Sequence, residues 1–350
     1  MKTLKIAQII AVFTAIFFTA CSSSEEEGGD GGTGTDVTIT SLVVSADAAT
    51  VVAGEIINLT ATAMMSNGSE VDKTAESTFY VNGMPLASNK YIGSVVGDIL
   101  VKAAAGSLMS EEITIQGIQA ATLTAFSKKA VIEDYTGTWC GYCPRVSYAI
   151  SLVEEQSDKV FAIAAHIGDD MQNSYSVQLE NNFDVPGYPT AYVNRVSTWN
   201  YPEPNNVSQA TSIAQGTTTA GLAINSVLTN TTLEVVVSTS LTETINSTKL
   251  VVFVLEDGIV ASQANYTSHY VGDPVDDFVH NHVLRYAATN VLGNITDGGA
   301  GTHHTAFKIN LPSTIQDATN TGIVAMLVDT TGKIVYNAQY AAVNVDKDFD

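Results

Sequence analysis

The stretch Val131-Ile132-Glu133-Asp134-Tyr135-Thr136-Gly137-Thr138-Trp139-Cys140-Gly141-Tyr142-Cys143-Pro144-Arg145 decides how this chain is read. Ala130-Val131-Ile132 is a short apolar run of the kind a buried strand shows, and Val146, Ala149, Ile150 and Val153 recur at helical spacing after the second cysteine. Two cysteines three apart at the start of such a helix share one face, close enough for a short-loop disulfide. The unpaired N–H groups and positive dipole end of the helix also favour thiolate over thiol at Cys140.

Working outward, Val160 to Ala165 reads as a second buried strand, Met171 to Phe183 as a polar helix and Ala191-Tyr192-Val193 as a third strand. Strand and helix alternating in this way predict an α/β unit over residues 120–216. Trp199, Pro202 and Pro204 follow, and two prolines oppose strand pairing, so the sheet is expected to be trimmed at that edge. On either side the texture is β. Residues 37–117 carry short alternating runs such as Ile57-Asn58-Leu59-Thr60-Ala61, punctuated by Asn82-Gly83, which predict an antiparallel sandwich. Residues 218–350 carry Leu233 to Val237, Leu250 to Leu255 and Ile323 to Val328, which predict a second sandwich, with an irregular or helical stretch around Asp276 to Ala288. The expected architecture is therefore multidomain.

The central segment resembles the thioredoxin active site, because Trp139 before the CxxC, a strand upstream and an amphipathic helix downstream coincide. The resemblance implies a thioredoxin-like α/β domain with Cys140 as nucleophile and Cys143 as resolving thiol. It implies that Asp134, six residues before Cys140, accepts a proton from the second cysteine. Val185-Pro186-Gly187-Tyr188-Pro189-Thr190 is similar to the family's cis-proline loop, which places Pro189 against the disulfide and Tyr188 and Trp139 toward substrate. The segment 37–117 looks like a bacterial immunoglobulin-like domain by pattern alone. A second reading of Cys140 and Cys143 stays open, that of an inert structural disulfide in an oxidising compartment. A zinc site needs four ligands where one CxxC stands, and Pro144 in place of histidine excludes covalent haem attachment, so no cofactor is expected.

At the other end of the chain, Lys2 and Lys5 precede an apolar stretch from Ile6 to Ala20 whose 15 residues fall short of the roughly 20 that span a bilayer. Residues 1–20 read as a signal peptide. Phe18-Thr19-Ala20-Cys21 resembles the lipobox of bacterial lipoproteins, which implies acylation of Cys21 and a membrane anchor of roughly 0.8 kcal/mol per buried CH2. Residues 21–36 continue as a Ser, Glu and Gly tether with nothing apolar to bury. The Glu25-Glu26-Glu27 run resembles the acidic tract that directs some lipoproteins to the outer leaflet.

Composition narrows the partners. The 350 residues carry 15 Lys plus Arg against 36 Asp plus Glu, a formal charge of −21, so polyphosphate and anionic lipid are both repelled and nucleic acid is excluded as a partner. Loss of Lys2 and Lys5 with the signal peptide would deepen this to −23. Three cysteines in such a length exclude a disulfide-stapled scaffold.

His280, His282, His303 and His304 are the remaining candidates. His280 and His282 would share a face on a strand, with Asp273, Asp276 and Asp277 nearby, and a metal site can be drawn there; polar packing in a loop is the commoner outcome, and no metal is assigned. The combination of lipobox, Trp-Cys-Gly-Tyr-Cys-Pro, Gly-Tyr-Pro-Thr and His280-Asn281-His282-Val283-Leu284-Arg285 resembles the outer-membrane protein 28 family from about Ala120 onward. That likeness implies a lipid-anchored outer-membrane protein, facing periplasm or cell surface. The expected function is thiol–disulfide exchange with exported proteins. The competing expectation is a non-catalytic surface protein that binds a protein or glycan partner.

Overall fold

Seven residues in β1 (Ala130–Thr136) and seven in β2 (Val160–His166) run parallel as neighbours, with Val131 opposite Phe161 and Tyr135 opposite Ala165. Both strands are almost wholly buried, as central parallel strands must be when both faces are covered. Between them lies α1 (Pro144–Glu154), which begins with proline, the residue whose missing N–H costs nothing at a helix start. Its apolar stripe of Val146, Ala149, Ile150 and Val153 packs against Ala130, Ile132 and Val193. The second helix, α2 (Ser174–Asn182), is started by Asn173, whose side chain accepts from the N–H groups of Tyr175 and Ser176 while the Ser176 hydroxyl accepts from the Asn173 N–H. Then β3 (Thr190–Val193) pairs antiparallel with β1, and β4 (Ser197–Thr198) closes that edge with two residues.

The computed structural model describes residues 36–350 apart from Ser94 and Thr122. The signal peptide expected over 1–20, Cys21 and all but the last residue of the tether lie outside the described residues. Residues Thr38–Asp350 form one compact unit.

The expectation of a thioredoxin-like α/β domain between two sandwiches is corrected by the sheet topology. Among the described residues the chain is mostly β, with 47% strand against 11% helix, so strand pairing and not helix packing sets the architecture. After β5 (Ala220–Thr229) and β6 (Thr232–Leu241), strand β7 (Lys249–Glu256) is followed by the hairpin of β8 (Ile259–Gln263) and β9 (Val275–His280), then β10 (Val283–Ala287), β11 (Gly301–Asn310), β12 (Thr321–Val328) and β13 (Val335–Ala342). Strand β10 inserts directly beside β2, Val283 opposite Ala164, with the Ala164 N–H donating to the His282 carbonyl at 2.8 Å. One sheet therefore runs β4-β3-β1-β2-β10-β7-β12-β13, across the boundary expected near residue 217. The stretch 276–288, expected to be irregular or helical, is β9, a tight turn and β10.

Alternation along the added strands explains why the halves merge. In β12, Val324, Met326 and Val328 join Val131, Tyr135 and Ile163 in one core, while Ile323, Ala325 and Leu327 face β5, β6 and β11 in another. Glu133 of β1 and Arg195 after β3 form an ion pair at 2.6 Å with both side chains fully buried. Arg195 Nη1 also donates to the carbonyls of Val291 and Gly332, tying β1 to loops of the C-terminal half.

The N-terminal part is a two-sheet sandwich. Strand Ile39–Ala46 pairs antiparallel with Ile56–Met65, and a facing sheet contains Thr78–Val81, Gly97–Ala105 and Ile113–Ile118. Leu42, Val44, Leu59, Phe79, Ile99 and Ile115 fill the space between them. Asn225 of β5 donates to the Gly54 carbonyl and so ties this sandwich to the separate three-stranded sheet of β5, β6 and β11.

Candidate functional site

Cys140 and Cys143 form a disulfide with a Cα–Cα separation of 5.4 Å, at the turn that leads β1 into α1. The turn is built by the Cys140 N–H donating to Gly137 and the Cys143 N–H donating to Cys140, after which Val146 returns to Cys143 and the helix propagates. Both cysteines are buried, whereas Trp139 and Tyr142 beside them are half exposed. Trp139 is fixed by its indole N–H, which donates to the Ile167 carbonyl at 2.8 Å, and by the Tyr188 ring, edge-on at 5.3 Å. The Tyr188 phenol donates to Glu180, and burial together with that carboxylate raises its pKa. The Tyr188–Pro189 peptide is cis.

Asp134 is fully buried beneath α1. Burial pushes its carboxyl up to about 8, with Glu203 adding to the rise and Arg145 opposing it. Glu203 and Arg145 are themselves an ion pair at 2.6 Å, and Arg145 also lies over the Tyr201 ring. At neutral pH Asp134 is thus a carboxylic acid with a proton to give.

A segment from the C-terminal half closes over the disulfide. Gln263 at the end of β8 donates from its amide to the carbonyls of Gly137 and Cys140, at 3.3 and 3.0 Å. The Ala264 N–H donates to the Thr138 carbonyl at 2.8 Å and the Tyr266 N–H to the Gly141 carbonyl at 2.6 Å, so 264–266 runs along the CxxC loop as added backbone. The Tyr266 ring covers Gly141 and meets Tyr142 edge-on at 5.5 Å. Asn265 holds the segment in shape, donating to the carbonyls of Tyr270 and Gly272.

The four histidines singled out in the sequence are not brought together. His280 is buried against His166, ring centroids 5.2 Å apart, whereas His282 lies past the strand end in a left-handed turn conformation and reaches Glu154 at 2.9 Å. Loss of hydration disfavours charge on His282, but Glu154 and Asp257 outweigh it and raise its pKa. His303 faces Asp297 and His304 faces Ser238. Among the described residues no group of three or more His, Cys, Asp or Glu is placed to hold a metal ion.

Sequence reasoning missed the pair His166–Asp169, joined at 2.7 Å, whose carboxylate also accepts from the Thr138 N–H and so steadies the CxxC loop. A histidine ending an apolar strand run was the available signal. Gln263 and Tyr266 gave none, since QANYTSHY reads as ordinary loop.

Comparison with known proteins adds the following. The family model "Outer membrane protein Omp28" matches residues 176–347. The structure of HBP35 of Porphyromonas gingivalis is similar at a TM-score of 0.52 and 17% identity, covering 64% of this chain and 78% of that one, a likeness of fold alone. A domain of the outer membrane lipoprotein Omp28 from Porphyromonas gingivalis aligns at 21% identity over 36% of this chain and 89% of its own, with a TM-score of 0.26. No curated protein matches the sequence. The family match supports a relationship to the Omp28 outer-membrane proteins, and the chain is an outer-membrane protein on that ground.

Proposed function

We propose that the chain is an outer-membrane lipoprotein, anchored through Cys21, that exchanges disulfides with exported proteins at Cys140 and Cys143. The observation that carries this reading is a buried acid, Asp134, its pKa raised by burial, set beneath the helix whose first turn bears the disulfide. A substrate thiolate attacks Cys140 Sγ, the Cys140–Cys143 bond breaks, and Cys143 Sγ leaves with the electron pair. Asp134 supplies the proton that makes Cys143 a thiol. The second substrate thiol then attacks its partner sulfur in the mixed disulfide and releases Cys140, so a substrate dithiol is oxidised while the protein disulfide is reduced. Trp139, Tyr188 and Pro189 form the rim against which the substrate backbone lies. Scrambled-ribonuclease reactivation and insulin reduction test the reading, with a rate well above a Cys140→Ser control expected. Equal rates for the two proteins sink it.

A second reading is favoured by the segment 263–266, whose backbone covers the loop that buries both cysteines. In that reading the disulfide is structural and the protein binds a surface protein or glycan. A disulfide that resists dithiothreitol until the chain unfolds, with partner binding that survives replacement of both cysteines, would establish it.

A further inference from the structure

Beneath α1 lies a cavity of about 340 Å3 that the cysteines themselves do not line. Asp134 and Thr136 of β1, Ala164 and His166 of β2, and Ser147, Ile150 and Ser151 of α1 form one side, and β9 with its following turn forms the other. Two buried polar atoms in its wall, Asp134 Oδ1 and His280 Nε2, have no protein partner among the described residues. Asp134 is 2% exposed and His280 5%. Buried polar atoms are rarely left without a partner, and a polar cavity of this size has room for several waters at about 30 Å3 each.

We infer that this cavity holds the water chain through which Asp134 exchanges its proton with solvent, and that His280 Nε2 orders that chain by accepting a hydrogen bond from it. The inference rests on the exchange reading above, in which Asp134 gives a proton to Cys143 and must recover one. Recovery from the substrate side is hindered because Gln263 and Tyr266 cover the loop, whereas Asp277 and Asn281 on the cavity lining are exposed to solvent. His280 is held neutral, its pKa pressed to about 4 by burial and by His166, so Nε2 keeps a lone pair for water across the working range. The other charged groups around the cavity are already engaged. Glu154 holds His282, His166 holds Asp169, and Glu203 holds Arg145. Asp277 is exposed to solvent, and the Tyr270 phenol, its pKa raised by burial, stays neutral. His280 is a positioning residue here, acting on Asp134 through water.

The Asp134 carboxyl carbon, followed by NMR in the oxidised full chain and assigned with Asp134→Asn, reads the inference directly. His280→Phe fills the cavity and removes Nε2, and the midpoint is expected to rise by roughly one pH unit as Asp134 loses hydration. His280→Gln keeps a polar atom and is expected to restore it. Ser147→Leu narrows the same cavity from α1 and should act in the same direction if His280→Phe fails to fold. In the exchange assay His280→Phe is expected to slow the reaction about tenfold below pH 8, with recovery in His280→Gln. An unchanged midpoint in the cavity-filling variants overturns the inference, as does an unchanged pH profile in an active protein. Absence of exchange in the unmodified chain instead removes the proposed function, while the carboxyl titration still decides whether the cavity hydrates Asp134.

Discussion

Tyr266 donates its backbone N–H to the carbonyl of Gly141 at 2.6 Å, so the segment that closes over the disulfide is fastened to the dipeptide between the two cysteines. The ring follows the backbone, and a Cβ added at Gly141 would clash with the Cγ, Cδ2 and Cε2 atoms of the Tyr266 ring. Gly141→Ala is therefore expected to push the segment away, lowering stability by about 1–3 kcal/mol and speeding reduction of the disulfide by dithiothreitol. Adding Tyr266→Ala should relieve the clash, giving a double variant more stable than Gly141→Ala alone. Thermal melts and thiol-release kinetics check both, and a Gly141→Ala protein reduced at the unmodified rate removes the role given to Tyr266.

The local elements were legible where local chemistry decides them. Val146, Ala149, Ile150 and Val153 are the buried stripe of α1, and Ala130 to Ile132 and Val160 to Ala165 lie in strands, because periodicity and apolar runs report burial directly. The merger of the sheet was not legible. A strand buried on both faces, such as β2, shows an apolar run whatever its neighbour, and nothing in Val160 to His166 names Val283 as the partner of Ala164. In the site, the CxxC and the disulfide could be read from spacing, but its cover could not, since Gln263, Ala264 and Tyr266 act through backbone and amide groups that every loop has. His280 and His282 were paired by an i, i+2 rule that holds only inside a strand, and the left-handed backbone at His282 breaks it.

The continuity of the sheet predicts that residues 120–216 do not fold alone. Without β10, the edge of β2 is unpaired, and Tyr135, Ile163 and Leu179 lose the cover of Phe253, Leu284 and Met326, each a loss of roughly 1.5–3 kcal/mol of burial. The fragment is expected to give poorly dispersed amide resonances and no cooperative melt, whereas 36–350 melts cooperatively. A well-dispersed spectrum from the fragment would restore an independent domain.

Glu133 and Arg195 predict a large asymmetry between single and double substitutions. Arg195→Met leaves a fully buried carboxylate without its partner and frees the carbonyls of Val291 and Gly332, an expected loss of about 3–5 kcal/mol. Glu133→Gln in the same protein should recover part of it, because the uncompensated charge is gone. Denaturant midpoints of the four proteins in the cycle measure the coupling, and additive losses would mean that the pair is not coupled.

Asp134 and His280 predict a specific shape for stability against pH. Asp134 titrates near 8 when folded against 3.8 ordinarily, so between those values the folded chain holds a proton that the unfolded chain has released, and stability falls as pH rises. His280 titrates near 4 when folded against 6.5 ordinarily, so between pH 4 and 6.5 the unfolded chain holds the extra proton and stability rises with pH. The two slopes are each about 1.4 kcal/mol per pH unit and opposite in sign, so they cancel from pH 4 to 6.5 and leave Asp134 alone from 6.5 to 8, an expected fall of roughly 2 kcal/mol. Relative to the unmodified chain, Asp134→Asn should gain stability progressively up to pH 8, and His280→Gln should expose the falling Asp134 slope already below pH 6.5. Urea midpoints of the three oxidised proteins from pH 5 to 8.5 measure these differences, with groups common to all three cancelling in the comparison. Parallel curves for Asp134→Asn and the unmodified chain would show that Asp134 is ionised in the fold, and with that the proton it is proposed to give Cys143 would be gone.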